Sequence, residues 1–229
     1  LRASPELVVG RDFSIVLPTT ATTGGSMSII LVRHGETAGN ASRILQRPEV
    51  PLNERGVRQA EQLAERLQAF EIAHVLCSDL MRARMTAAPL LVRTRGTIEE
   101  SALLQERNFG DLRGTPYADL PEDPFGADFA PPNGESWRAF HERVAAAFTL
   151  IAARRSTLRG DLLVVTHGLV CGVLLNQHLK LAAGLTAPRG FDNTSVTIID
   201  AEPPYTVRLI NCTRHLSADL GPRRDAGAA

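Results

Sequence analysis

Two histidines of the chain stand in matching settings. His34 lies in "ILVRHGET" and His167 in "VVTHGL"; each follows an apolar run and each precedes a glycine. An imidazole titrates near neutrality, so it can serve as base, nucleophile or metal ligand. Arg33 adjoins His34, Glu36 follows two residues later, and Ser78-Asp79 closes the apolar stretch "AHVLC". Arg82, four residues beyond Ser78, falls on the first turns of a following helix. Read alone, a histidine at a strand end need do no more than hydrogen-bond its neighbours. Two histidines could also be two ligands of a metal, although no third stands at a ligand spacing such as HxxxH. Arg82 could be a solvated helix-surface arginine, the reading given to Arg84 and Arg93.

The elements that must position these residues alternate. Met27–Arg33 is a continuous apolar run ending in Arg33, suited to a strand buried on both faces. Asn53–Phe70 places Val57, Ala60, Leu63, Ala64 and Leu67 near helical spacing, with Asn53 as N-cap. Ala73–Ser78 reads as a strand and Asp79–Val92 as a helix. Trp137–Arg155 reads as a long helix, and Asp161–Gly168 as a second buried strand leading into an apolar helical run. "SVTIID" and "YTVRLIN" read as a closing pair of strands near the sheet edge. Such alternation predicts a three-layer α/β/α sandwich with a mostly parallel central sheet. In sheets of this kind ligands sit beyond the carboxyl ends of the strands. Three polar clusters occupy such ends: Arg33-His34-Gly35-Glu36, Ser78-Asp79 and Thr166-His167-Gly168.

Composition narrows the function classes. The 229 residues, 44% hydrophobic, carry 25 basic and 25 acidic side chains for a formal net charge of zero. That balance argues against a non-specific nucleic-acid binder. Lys180 is the one lysine; the other basic residues are arginines. Cys77, Cys171 and Cys212 have no zinc or disulfide spacing and point to a reducing, cytoplasmic setting. No run approaches the roughly 18 apolar residues of a membrane span. There is no internal repeat, GxGxxG or Walker loop. Residues 1–26, ending in "PTTATTGGS", read as a flexible leader, 27–215 as the domain and 216–229 as a flexible tail.

Taken together, "LVRHGETAGN", "PLNERGVRQAEQLAERL", "CSDLMRARMTAAPL", "LLQERNFGDLRG", "PNGES" and "VVTHG", in that order from Ile29 to about Ser195, resemble the histidine phosphatase superfamily, in its phosphoglycerate mutase-like branch. The resemblance implies that His34 is the nucleophile that becomes phosphorylated. It implies that Arg33, Asn40, Arg82 and His167 hold the phosphoryl group and that Glu106 gives the leaving group its proton. Gly35 and Gly168 match small residues that let backbone approach the site. Glu36, Thr37, Ser78 and Asp79 belong to the motifs with less defined roles. Glu135 matches a secondary position that could also be an exposed loop residue.

Physical chemistry agrees with these roles. A phosphate monoester is a dianion near neutral pH, so a neutral imidazole attacks it without the repulsion an anion would meet. Guanidiniums bind phosphoryl oxygens bidentately, and His167, if protonated, adds a further cation. A carboxyl group crowded by phosphate should hold its proton, which suits Glu106 as acid. No metal or cofactor is expected, since Arg and His take the place of Mg²⁺. Gly35 is expected to permit the bend that turns Arg33 and His34 toward one pocket.

The same pocket serves phosphatases and cofactor-dependent mutases. The stretch "TPYADLPEDPFGADFAPPNGES" is acidic and lacks the paired arginines a mutase of this kind uses for a carboxylate. The expected function is therefore hydrolysis of a small phosphorylated metabolite, with a phosphoglycerate mutase as alternative and an inactive phospho-ligand binding module or a metal-dependent hydrolase as remoter ones. Leu120–Pro132 is expected to rim the pocket, and Glu122, Asp123 and Asp128 to disfavour a highly anionic leaving group. The residues carry no signal of oligomeric state.

Overall fold

A computed structural model describes residues 27–94, 96–120 and 122–222. The expected leader over 1–26 and the last part of the expected tail, 223–229, lie outside the described residues. In chain order the elements are β1 (Ser28–Arg33), α1 (Ala38–Ala41), α2 (Glu54–Leu67), β2 (Ile72–Cys77), α3 (Met81–Arg93), β3 (Thr97–Glu100), α4 (Trp137–Thr157), β4 (Asp161–Thr166), α5 (Gly168–His178), β5 (Lys180–Leu181), β6 (Val196–Asp200) and β7 (Thr206–Cys212). They form one seven-stranded sheet in the order β3-β2-β4-β1-β6-β7-β5. β3, β2, β4 and β1 run parallel, whereas β6 is antiparallel to both β1 and β7.

The apolar alternation of β1 and β4 divides the core. Ile29, Leu31, Leu162 and Val164 face α4 and α5 in one cluster. Ile30, Val32, Leu163 and Val165 face α2 and α3 in the other. Both faces of these strands are thus covered, which is why they read as unbroken apolar runs. Each such side chain stabilises the fold by roughly 1.5–3 kcal/mol of burial. The three-layer sandwich follows, with antiparallel β6 and β7 as the closing pair. The short edge strands β3 and β5 had no counterpart in the sequence reading. β5 has two residues and β3 places only the half-buried Glu99 among otherwise exposed side chains, so neither shows a buried run.

The start of the expected tail does not behave as one. Leu220 is buried, its carbonyl accepts from Gln59, Ser217 N–H donates to Gln62, and Arg55 donates to the carbonyls of Asp219 and Gly221. Residues 217–221 are therefore strapped across α2. Their small and polar composition conceals this, because backbone groups make most of the contacts.

Candidate active site

Strand register brings the polar clusters together. β1 and β4 are neighbours with Arg33 opposite Thr166, and His34 N–H continues the ladder to the Thr166 carbonyl at 2.9 Å. His34 and His167 therefore leave adjacent strands at the same height, with ring centroids 5.0 Å apart. On the other side of β4, Ser78 N–H donates to the Val165 carbonyl at 2.9 Å. Its hydroxyl lies 2.8 Å from His167 Nε2 and accepts from Leu80 N–H. The Ser78 hydroxyl, with one hydrogen and two lone pairs, can donate to Nε2 or accept from it; donation is the arrangement that leaves the His167 proton on Nδ1. That buried Nδ1 has no partner among the described residues.

His34 is only 2% exposed. Its Nδ1 stands 2.7 Å from the Gly35 carbonyl and must donate to it, which leaves Nε2 with a free lone pair. Burial first, then the charges of Arg82 and Arg33, hold the His34 imidazole well below its ordinary range. Burial, Arg82, His34 and Arg33 do the same to His167. Both shifts favour the neutral ring, and the protonation that would make His167 a further cation is opposed by the two guanidiniums already in that neighbourhood.

Arg33, His34, Asn40, Arg82, Glu106 and Gly168 line one cavity of about 300 Å³, with His167 buried behind it. Arg33 donates to the Phe191 carbonyl, and Arg82 NH1 to the Arg47 carbonyl at 3.1 Å. The Nε–H of each is buried without an acceptor. Burial brings Arg82 down to about 10, so it remains charged at neutral pH. Asn40 caps α1 reciprocally with Thr37, and its oxygen also accepts from Asn193. That turns its NH₂ into the group left for a ligand. Glu106 accepts from Arg107 N–H and, at the start of α5, from Leu169 N–H. Among the described residues no three His, Cys, Asp or Glu side chains converge to hold a metal.

The glycines act by size. Gly35 has no left-handed φ; a Cβ there would meet the Gly56 carbonyl oxygen at 2.7 Å. It permits close approach to α2, where the expectation was a bend. On α2, Asn53 caps the helix through Gly56 N–H and also donates to Glu36, whose second oxygen pairs with Arg55 at 3.1 Å. At Gly168 a Cβ would lie 3.4 Å from Arg33 Nε. Gly35 N–H donates to Thr86 Oγ1, and that hydroxyl donates to the Arg82 carbonyl, tying β1 to α3.

Several residues were not singled out from the sequence. Arg143 donates to both Glu135 oxygens, at 2.7 and 2.8 Å, and to the carbonyls of Leu103, Gln105 and Glu106. Glu135, which also accepts from Asn108 N–H, is thus a clamp on the segment carrying Glu106. Arg107 is buried against Trp137, 4.0 Å from the ring centre, and donates to the carbonyls of Pro124, Phe129 and Glu135. The helical stripe held a clue to Arg143: it falls between Phe140 and Val144, both buried. Asn193 donates to the His34 carbonyl, and the next residue, Thr194, is left-handed at φ 54° with its N–H on the Arg33 carbonyl. Nothing local marks either residue.

The 122–132 segment does reach the pocket, through Phe125. The acids expected to repel an anionic leaving group do not. Glu122, Asp123 and Asp128 are exposed and absent from the lining, because Arg107 anchors the carbonyls on either side and leaves the carboxylates in water.

The profile of the histidine phosphatase superfamily, branch 1, matches residues 29–213. The chain is 32% identical over 184 residues to the probable phosphoglycerate mutase GpmB of Klebsiella pneumoniae, covering 76% of this chain and 85% of that one. The crystal structure of a putative alpha-ribazole-5'-P phosphatase from Escherichia coli superposes with a TM-score of 0.69 at 28% identity, over 82% and 97% of the two chains. A phosphoglycerate mutase from Bacillus anthracis superposes with a TM-score of 0.70 at 26% identity, over 82% and 94%. By sequence and by the architecture that carries its pocket, the chain belongs to branch 1 of the histidine phosphatase superfamily.

Proposed function

We propose that the protein is a phosphomonoester hydrolase acting through a phosphohistidine on His34, with Glu106 as proton donor, on a small phosphorylated metabolite. The observation that carries this reading is an imidazole with a free Nε2 beside two guanidiniums that each keep a buried Nε–H without an acceptor. Nε2 attacks phosphorus, the ester P–O bond breaks, and Glu106 protonates the departing oxygen. Water then attacks the phosphohistidine, Glu106 takes its proton, and inorganic phosphate leaves. Arg33 and Arg82 hold the non-bridging oxygens, joined by Asn40 NH₂ and His167 Nδ1–H, while Gly168 keeps room beside Arg33. The network needs no metal, and three free thiols suit a reducing, cytoplasmic setting.

A second reading, a cofactor-dependent phosphoglycerate mutase, is favoured by the names of relatives at comparable similarity. One experiment tests both. Phosphate release from p-nitrophenyl phosphate is measured in excess EDTA for the wild type and His34→Ala, beside interconversion of 2- and 3-phosphoglycerate with and without the bisphosphate. Release should survive EDTA and fall by about a thousandfold or more in His34→Ala. Undiminished release by that variant removes His34 as nucleophile; bisphosphate-dependent interconversion outpacing release makes the protein a mutase.

A further inference from the structure

Helix α2 turns a face of small and apolar side chains inward, and an amide interrupts it. Among Gly56, Ala60, Leu63, Ala64 and Leu67, all buried, stands Gln59, only 2% exposed. A buried amide costs stability unless its oxygen and its NH₂ find partners. Both ends of Gln59 do. Its Oε1 accepts from Glu36 N–H at 2.9 Å, and its Nε2 donates to the Leu220 carbonyl at 2.9 Å. An N–H at one end and a carbonyl at the other fix which way the amide faces. Gln59 does not line the cavity, so it acts on the floor through the backbone it holds.

The N–H that Gln59 holds belongs to the same planar unit as the Gly35 carbonyl, because one peptide bond joins them rigidly. That carbonyl is the partner of His34 Nδ1 at 2.7 Å. Rotation of the unit would carry the carbonyl away from the ring. Gly35 has no side chain to resist such a rotation, and its own N–H, on Thr86, belongs to the preceding unit. The Glu36 side chain is tied to Asn53 and Arg55, and its carbonyl accepts from Asn53 N–H at 3.0 Å, but these bonds lie beyond the unit. Gln59 therefore holds the N–H edge of the plane whose carbonyl edge orients the ring. Donation to the amide oxygen also polarises the unit and strengthens its carbonyl as an acceptor. At its far end Gln59 rests on the strap over 217–221, which Arg55 grips at the carbonyls of Asp219 and Gly221.

We propose that Gln59 is a positioning residue for the nucleophile: held by the strap at Leu220, it locks the peptide unit between Gly35 and Glu36, which keeps the His34 proton on Nδ1 and Nε2 open toward phosphorus. A neutral imidazole has one proton to place, and a ring carrying it on Nε2 has no lone pair there with which to attack. This deepens the proposed function and rests on its choice of His34 as nucleophile. The tautomer itself is a property of the folded floor and is readable without turnover.

The test joins kinetics to nitrogen NMR of protein carrying isotope-labelled histidine, with His34→Ala to identify the His34 signals. In the wild type His34 should bear its proton on Nδ1; a proton on Nε2 overturns the proposal. Gln59→Met nearly keeps the volume and removes both hydrogen bonds. It should let the Nε2-protonated tautomer appear and lower kcat/KM by roughly tenfold on p-nitrophenyl phosphate and glycerol 3-phosphate alike, the population shift that loss of one hydrogen bond allows. Inhibition by inorganic phosphate, which needs the arginines but no attack, should change little. Gln59→Glu keeps an oxygen for the Glu36 N–H and should keep the tautomer, and it carries the test if Gln59→Met does not fold. Gln62→Ala, a turn further along α2, frees Ser217 of the strap without touching Glu36 and should leave His34 as it is. The proposal is overturned by unchanged kcat/KM in Gln59→Met, by a loss there with the tautomer unmoved, or by phosphate inhibition weakened as much as turnover. A tautomer lost in Gln59→Glu, or equal effects in Gln62→Ala, would overturn it as well. If neither ester releases phosphate, the hydrolase reading falls, and the tautomer in the wild type and the Gln59 variants still decides the role of Gln59.

Discussion

At the floor of the pocket, His34, His167 and Ser78 each stand one residue beyond a strand of the parallel sheet, and ladder hydrogen bonds continue into His34 and Ser78. At the rim, Arg113, Phe125 and Arg189 sit outside any helix or strand. The floor is buried and fixed by backbone register. The rim is held by side chains: Arg107 fastens the carbonyls of Pro124 and Phe129, and Arg143 fastens those of Leu103, Gln105 and Glu106. One sheet can thus keep a reaction constant while loops change what is presented to it. That is consistent with phosphatase and mutase names among structures of similar resemblance. Glu106 stands at the boundary, its carboxylate accepting from α5 and its backbone in the clamped segment.

If this division is real, floor substitutions should damage turnover of every substrate and rim substitutions should discriminate. The largest effect in this series is expected from Arg82→Lys, a loss of about a hundredfold in kcat across all monoesters, because a point charge cannot span two oxygens. Near-normal kinetics would remove Arg82 from the floor. Glu106→Gln should slow alkyl esters by about a hundredfold and aryl esters, whose leaving groups need less protonation, by much less. Equal losses would point to another acid.

Arg143→Ala probes the boundary more finely. It should lower kcat on alkyl esters by roughly tenfold and shift the alkyl-to-aryl ratio in the same direction as Glu106→Gln. A uniform loss, with that ratio unchanged, would make Arg143 a purely structural clamp. The smallest expected effect is on stability. His34 and His167 are held neutral, below the ordinary imidazole range, by burial and by Arg82. Below about pH 6.5 the unfolded chain therefore binds protons that the folded floor refuses. Stability should fall as pH drops below that value toward the folded-state values, by at most about 1.4 kcal/mol per histidine per pH unit. Urea denaturation at pH 7.5 and 5.5 measures it, and His167→Asn should reduce the slope. An identical slope in that variant would show that His167 is not held neutral.

Much of this was legible before the fold. Ile29–Val32 and Leu162–Val165 are unbroken apolar runs, and burial on two faces produces that pattern. Asn53 was legible as an N-cap because an Asn oxygen satisfies a free N–H at a helix start wherever that helix packs. The arginine clamps were not legible: on α4, Arg143 and the exposed Arg138 are the same residue type a turn and a half apart, and only the path of the 101–107 segment separates their surroundings. The outward turn of Glu122, Asp123 and Asp128 depends likewise on Arg107, whose carbonyl partners are distant in the chain.

The amino-acid sequence by itself determined the family, the alternation of strands and helices, and the types of the reactive groups, because these rest on local patterning and ordered motifs. Tertiary structure alone decided that β1 lies beside β4 in a register that sets two imidazoles 5.0 Å apart. It also decided that the rim presents arginine and aromatic side chains to the cavity and its carboxylates to water. Strand order and loop path are set by which distant surfaces bury one another, and that pairing is a property of the whole folded chain.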